Sequence, residues 1–381
     1  MELHGIRFRS NPRVELKRLA DLDETQRERF RELELDPEFY GLLVPRPPLA
    51  MSVKSVGRPA AELFRTLAAP AHLDAELLAD DEEAGDVVGL VLDGVLEIES
   101  GGAFVSGAAA APLLCGPLRV PEVRDAVARL SREALLHAQD LETGDPQALM
   151  VSLYLYNRLP VTPSWRARFP GGDAVLAHLG ADRGSLRALL EQDWVASAAP
   201  GWLRWSSRAA LPRDEREGTY KLYISPRPER IREVFTVAVR VLSSLAGVQL
   251  KVGDDACGLL RPDKLVAHFP ARAHLDHAAA GLRRELAGCD AHGVPFTAGL
   301  DADGLLSWGV DPPDHEYALR WVPKESWRLW LARHLAAALA VAKAGRQSAG
   351  VEPWLFALDR VRRHGVDIET WTPSAAIWSR P

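Results

Sequence analysis

Three cysteines in 381 residues, Cys115, Cys257 and Cys289, lie far apart and form no Cys-x-x-Cys pair. So odd and sparse a set argues against a disulfide framework or a structural zinc site and fits a reducing, cytoplasmic compartment. No uninterrupted apolar run reaches bilayer-spanning length. Arg7, Arg9 and Arg13 precede no apolar stretch of the kind a secretory signal needs. A basic surplus is missing too. With 46 Lys+Arg against 52 Asp+Glu the formal net charge is -6, so the chain as a whole has no pull toward nucleic acid or membrane.

Several catalytic signatures are also missing. There is no Gly-x4-Gly-Lys-Ser/Thr loop and no kinase catalytic loop, which removes both familiar routes to ATP. No Gly-x-Ser-x-Gly elbow exists; Gly345 to Gly350 holds one residue too many around Ser348 and fits a helix C-cap. His274 and His277 stand at helical i, i+3 spacing without a third ligand, so a solvated helix face explains them better than a metal. Asp301-Ala-Asp-Gly304 starts like a calcium loop but lacks the later ligands and the closing Glu, and reads as a hairpin turn. No metal and no cofactor is expected.

What is present is an ordinary globular composition, 47% hydrophobic and 26% charged, with length for two or three domains. Residues 15–35 carry leucines among charges and read as an amphipathic helix or two. Met51 to Val56 alternates like a strand, and Pro59 opens a helix that carries Leu63, Phe64 and Leu67. Val95 to Glu99, the turn Ser100-Gly-Gly102 and Ala103 to Val105 form a hairpin. Helices followed by a two-stranded wing make residues 1–115 winged-helix-like. The outline resembles the domains of ribosomal-peptide pathways that clamp a leader peptide as an added strand. A DNA-reading winged helix shares it, but the acidic run Asp80 to Glu83 and the lack of a basic helix count against DNA. Residues 116–215 read as a helical region, with a polar connector from Arg204 to Glu217. Trp165, Trp194, Trp202 and Trp205 in this zone read as core or interface packing. Residues 216–381 read as α+β: short antiparallel strands with packed helices at Pro228–Leu245, Leu275–Leu286 and Trp327–Lys343, and further strands at 293–297 and 305–310.

The stretch Thr219–Phe269 reverses the charge balance, with eight Lys/Arg against five Asp/Glu. Alternation places Tyr220, Leu222 and Ile224 on one face of a strand and Lys221, Tyr223 and Ser225 on the other. Lys251 opposes Val248, Leu250 and Val252; Lys264 and His268 oppose Leu265, Ala267 and Phe269. If these strands pair, one side is core and the other gathers Lys221, Tyr223, Lys251, Lys264 and His268, with Arg261 at its entrance. Pattern alone leaves two readings open: an anion site, or the solvated face of an antiparallel sheet.

Tyr220 to Pro226, Leu250 to Gly253, Gly258 to Phe269 and Trp308 to Pro313, in that order, resemble the HopA-type effector family and its actinobacterial relatives. Those relatives are the lyase components of class V lanthipeptide and thioamitide pathways. More distantly, the strands look like those of bacterial phosphothreonine lyases. The resemblance implies β-elimination of phosphate from phosphoserine or phosphothreonine in a precursor peptide, giving dehydroalanine or dehydrobutyrine. A separate kinase-like protein is implied as partner, with a cyclase as a further candidate. Lys251 matches the base lysine, and burial among cations would lower its pKa in the direction a base requires. Tyr223 stands where the effectors place histidine; His268 is the alternative acid. Arg261 and Lys264 match the phosphate clamp, Lys221 supports it, and Arg320 or Arg328 adds a second arginine. Asp254 and Asp255 are expected to turn away. The rival reading is a non-catalytic partner of a kinase that binds a phosphopeptide or leader peptide.

Overall fold

The computed structural model describes residues 5–74, 81–209, 211, 219–312, 325–345 and 350–374. Seven short strands open the chain: β1 (Arg7–Ser10), β2 (Val14–Lys17), β3 (Gly41–Pro45), β4 (Lys54–Val56), β5 (Ala71–His72), β6 (Leu96–Ser100) and β7 (Ala103–Val105). They pair as two antiparallel sheets, β5-β1-β6-β7 and β2-β3-β4. Among them lie α1 (Glu24–Phe30), α2 (Arg58–Thr66) and α3 (Asp81–Leu92). The wing at 96–105 is a hairpin as its alternation requires. Residues 15–35 depart from the helical reading: Val14–Lys17 is a strand and only Glu24–Phe30 is α-helix. Leu16 pairs with Leu43 in that strand, a distant partner that local periodicity cannot show.

A helical stretch follows: α4 (Ala111–Cys115), α5 (Ala126–Asp140), α6 (Pro146–Leu155), α7 (Pro163–Arg168), α8 (Gly172–Leu179) and α9 (Gly184–Asp193). Asp125, Asp145 and Thr162 cap α5, α6 and α7 with side-chain oxygens, so each start is fixed locally.

The main sheet is antiparallel and seven-stranded. Its members are β8 (Trp194–Ala199), β9 (Trp202–Ser207), β10 (Tyr220–Ile224), β11 (Gln249–Gly253), β12 (Leu265–Phe269), β13 (Ala298–Gly299) and β14 (Leu306–Val310), in the order β13-β14-β10-β12-β11-β9-β8. The fold is thus α+β. Two of these strands, β8 and β9, precede residue 216 and come from a stretch that reads as helix and connector. Phe296, at a φ of +62°, interrupts the run 293–297, which is not a strand. Its amide donates to Ser131 Oγ instead of a ladder.

Helices α10 (Ile231–Leu242) and α12 (Arg272–Glu285) cover one face of this sheet. Ile231, Val234, Phe235, Ala238 and Leu242 meet Leu222, Ile224, Leu250, Val252, Leu265 and Ala267 in one core. Each fully buried side chain of this size contributes ~1.5–3 kcal/mol, so the apolar stripe fixes which face is inside. A short turn, α11 (Ala256–Leu259), sits between β11 and β12. A second core joins Phe8, Val91 and Ile98 of the N-terminal region to Leu149 and Leu153 of α6. It extends to Leu331, Leu335 and Leu339 of α13 (Trp327–Ala344) and Phe356 of α14 (Pro353–Arg363). Two short strands, β15 (Val366–Asp367) and β16 (Thr372–Pro373), follow. The end of α6 and the start of α13 bring Tyr154 and Arg328 to the polar face of the sheet.

Candidate active site

Pairing decides what alternation only suggested. Lys251 lies opposite Val266, Val266 opposite Tyr223, and Lys221 opposite His268. Residues directly opposite in an antiparallel pair share a face. All five side chains therefore emerge on the side away from α10 and α12. β9 extends the row, with Arg204 opposite Lys251.

Over this face opens a cleft of about 120 Å³, lined by Lys221, Tyr223, Lys251, Arg261, Asp263 and Arg328, with Tyr154, Trp202, Val266 and Ser326. Larger hollows lie elsewhere on the molecule, but they do not gather these charges.

Two glycines shape the approach. A Cβ on Gly309, opposite Lys221, would meet Trp327 Cδ1 at 2.6 Å. The bare backbone there lets the start of α13 close on the sheet, which seats Arg328. A Cβ on Gly253 would meet the Gly258 backbone at 2.4 Å, so β11 and the α11 turn touch directly and Arg261 follows close by.

Asp263 organises the cations. It is buried and accepts from Arg261 Nε and Nη2 at 2.9 Å each. Arg328, itself fully buried, places Nη1 2.8 Å from Asp263 Oδ2. That contact lacks hydrogen-bond alignment, and Arg328 Nη1 has no hydrogen-bond partner among the described residues. Arg328 Nε donates to the Pro295 carbonyl and Nη2 to that of Tyr154. Arg261 Nη2 also donates to the Tyr154 hydroxyl. Burial opposes the charge on Asp263, but the Arg328 and Arg261 guanidiniums beside it hold its carboxyl well below the usual range.

Lys251 is set apart. Among the described residues it has no ion pair and no hydrogen bond. Its Nζ rests 4.4 Å from the centre of the Trp202 ring, which Arg261 also faces at 5.2 Å. Burial, with Lys221, Arg204 and Arg261 nearby and only Asp263 opposing, lowers its pKa to about 8. Lys221 donates to Asp311 at 2.5 Å. Among the described residues, four basic side chains thus face two carboxylates, Asp263 and Asp311, and the cleft keeps a positive surplus. Tyr223 is buried at its floor, and desolvation pushes the phenol well above 10.

Other expected site residues lie elsewhere. Lys264 does not line the cleft; it is fully buried and donates to the Pro226 carbonyl at 3.0 Å and His292 Nδ1 at 2.8 Å. Burial lowers its pKa to about 7. His292 Nε2 is 2.7 Å from the Asn157 carbonyl, and burial beside Lys264 lowers its pKa to about 3. This chain ties the end of α6 to the loop behind the sheet. His268 shares the cationic face but not the cleft lining; burial, then Lys221 and Lys251, push its imidazole well below 6.5. Arg320 lies outside the described residues. Asp254 and Asp255 do not line the cleft, and Asp255 caps α11. Tyr154, Trp202, Asp263 and Ser326 were not singled out from sequence as site residues. Trp202, grouped there with structural indoles, lines the cleft, whereas Trp194 and Trp205 are core.

Fold and cleft together define an α+β protein with a small cationic site on the polar face of its main sheet. Neither a family model nor a curated protein matches the sequence. In structure the chain is similar to the effector protein from Pseudomonas syringae pv. syringae strain 61. That match has a TM-score of 0.41 and 11% identity, covering 67% of this chain and 100% of that one. The effector protein from Pseudomonas syringae pv. tomato strain DC3000 gives 0.36 and 11%, covering 66% and 98%. The type III effector/phosphothreonine lyase OspF from Shigella flexneri gives 0.27 and 12%, covering 39% and 86%. At these scores the chemistry has to be read from the cleft itself.

Proposed function

We propose that the chain is a phosphoserine/phosphothreonine lyase acting on a phosphorylated peptide. The observation that carries the reading is Lys251: a lysine without an anionic partner among the described residues, at a pKa of about 8, beside three further cations in one cleft. A lysine meant only for charge pairing gains nothing from that placement. A base does, because its neutral form is populated near neutral pH.

In the proposed reaction the phosphate sits against Arg261, Arg328 and Lys221. Arg328, which lines the cleft while ion-paired to Asp263, contributes positive charge there. Lys251 takes the α-proton, the C–H electron pair becomes the Cα=Cβ bond, and the Cβ–O bond breaks. Phosphate leaves with the oxygen, and Tyr223, held protonated by burial, donates to it. The cations offset the charge that grows on the leaving group. The products are a dehydroalanine or dehydrobutyrine residue and inorganic phosphate.

The resemblance of the strand blocks extends the proposal. The peptide is a ribosomally made precursor phosphorylated by a separate kinase-like protein in the cytoplasm. Residues 1–115 bind its leader or a partner enzyme, and residues 216–381 form the lyase-like part. No helix among the described residues is long and apolar enough to cross a membrane.

Incubating the purified chain with a phosphorylated peptide and following loss of phosphoric acid by mass spectrometry tests the reaction. Elimination that persists in Lys251→Ala refutes the base assignment. One observation favours a second reading, a phosphopeptide-binding module without turnover: the phenol at the cleft floor, Tyr223, is a very weak acid. That reading predicts binding with no change in peptide mass.

A further inference from the structure

The two edges of the main sheet are built differently. β13, at one end, is two residues long, a length that leaves little edge to pair with. β8, at the other, runs for six residues and pairs only with β9 among the described residues. Val195, Ala196, Ser197 and Ala198 are all exposed, Val195 at 48%. The strand holds no proline and no charged residue. Native sheets protect open edges with such residues, with bulges or with a covering element. Among the described residues β8 shows none of these, so it is competent to receive another strand.

Its position ties it to the cleft. Ser197 lies opposite Arg204, Arg204 opposite Lys251, Lys251 opposite Val266, and Val266 opposite Tyr223. One straight row of the sheet thus runs from the open edge to the proposed base. The β8–β9 turn leads directly into Trp202, a wall of the cleft. Beside the hairpin, against α8 and α9, is a cavity of about 470 Å³. Leu176, Leu190, Trp194, Ala196 and Trp205 make its apolar wall, on the core face of the hairpin, and Asp182, Arg187, Glu191 and Arg208 also border it.

We infer that an extended segment of the peptide substrate docks on β8 as an eighth strand, with an apolar side chain in the adjoining cavity. The inference rests on the reading of the cleft as a site for a peptide-borne phosphoresidue. Continuity of the row selects this occupant over a second copy of the chain. The added strand would lie three strand spacings from β11, ~14 Å at ~4.8 Å each, and an extended chain covers ~3.4 Å per residue. The docked segment therefore begins about four residues or more from the phosphoresidue. Main-chain pairing would supply affinity, and the cavity would supply preference for an apolar residue.

Two peptides of one sequence test this, one ending about three residues from the phosphoresidue and one extending about twelve. Hydrogen–deuterium exchange is measured on full-length Lys251→Ala, in which substrate accumulates unreacted. The long peptide protects amides of Val195–Ala198 and the short one does not. With otherwise wild-type enzyme, Ala196→Pro and Ser197→Pro are compared. Along an antiparallel edge strand adjacent amides alternate between pairing inward and facing out. The variant that melts like wild type has therefore lost an outward donor. In it the KM advantage of the long peptide over the short one, expected at about tenfold, disappears while kcat stays unchanged.

Unprotected β8 amides with the long peptide bound would overturn the inference, as would an intact KM advantage in both proline variants. A wild-type dimer by light scattering that a proline variant dissociates would assign the edge to a second copy instead. Absence of elimination from either peptide would defeat the lyase reading alone, since the exchange measurement judges docking without turnover.

Discussion

Lys221→Met is the perturbation that best tests whether the cleft tunes Lys251. With a pKa of about 8, about 9% of Lys251 is neutral at pH 7; at the ordinary 10.5 the figure is about 0.03%. Burial accounts for the largest part of the lowering and the Lys221 charge for the next. A unit charge two strand spacings across and two residues along, ~12 Å away, at an effective dielectric of ~20 contributes ~1.4 kcal/mol, about 1 pKa unit. Removing it also frees Asp311, now paired to Lys221 at 2.5 Å, and a freed carboxylate raises the lysine pKa further. In wild type the elimination rate should rise about tenfold per pH unit up to about 8 and then level off. In Lys221→Met the limb should move up by about one unit. The rate at pH 7 then falls about tenfold more than the rate at pH 10, where both lysines are neutral enough to act. The assay is kcat against pH under saturating phosphopeptide, which separates the limb from the binding loss Lys221 also causes. An unshifted limb would refute the reasoning, as would a wild-type limb near 6.

The remaining predictions concern the acid, the arginine pair, and the buried supports of the fold. Tyr223→Phe should lower kcat by ~10²–10⁴ with little change in KM if the phenol donates to the leaving phosphate, as steady-state kinetics would show. Asp263→Ala leaves Arg261 and Arg328 buried without their carboxylate and should cost ~3–5 kcal/mol in urea unfolding, whereas Asp263→Asn keeps the shape and loses only the charge. His292 is neutral in the fold down to about pH 3, while the unfolded chain protonates near 6.5. The unfolded state thus binds more protons between those values, so stability should fall as pH drops through that window, and His292→Gln should flatten the decline seen by thermal melting. Gly309→Ala pushes a methyl into Trp327 and should destabilise by ~1–3 kcal/mol while lowering phosphopeptide affinity, because the start of α13 carries Arg328.

The sequence by itself determined the strands and their faces wherever both partners of the pattern are local. Leu222 and Ile224, Leu250 and Val252, and Leu265 and Ala267 alternate cleanly, and each puts a basic or phenolic residue on the opposite side. Period two is a property of the backbone, so this much needs no partner strand. The helices at 231–242, 272–285 and 327–344 were legible for the same reason at period 3.6. The set Lys221, Tyr223 and Lys251 could therefore be read in advance. Tertiary structure decided the rest. Lys264 has the parity of Val266 and His268, yet it ends in a buried bond to His292, because parity fixes a side and not a destination. Asp263 lies between two residues singled out for their charge, and its role appears only once Arg328 arrives from a helix 65 residues further on. Trp202 and Tyr154 come from segments that read as packing. What lowers the pKa of Lys251 is neither its spacing nor its neighbours in sequence. It is burial beside Trp202 and among cations from separate elements, and only the folded chain brings these together.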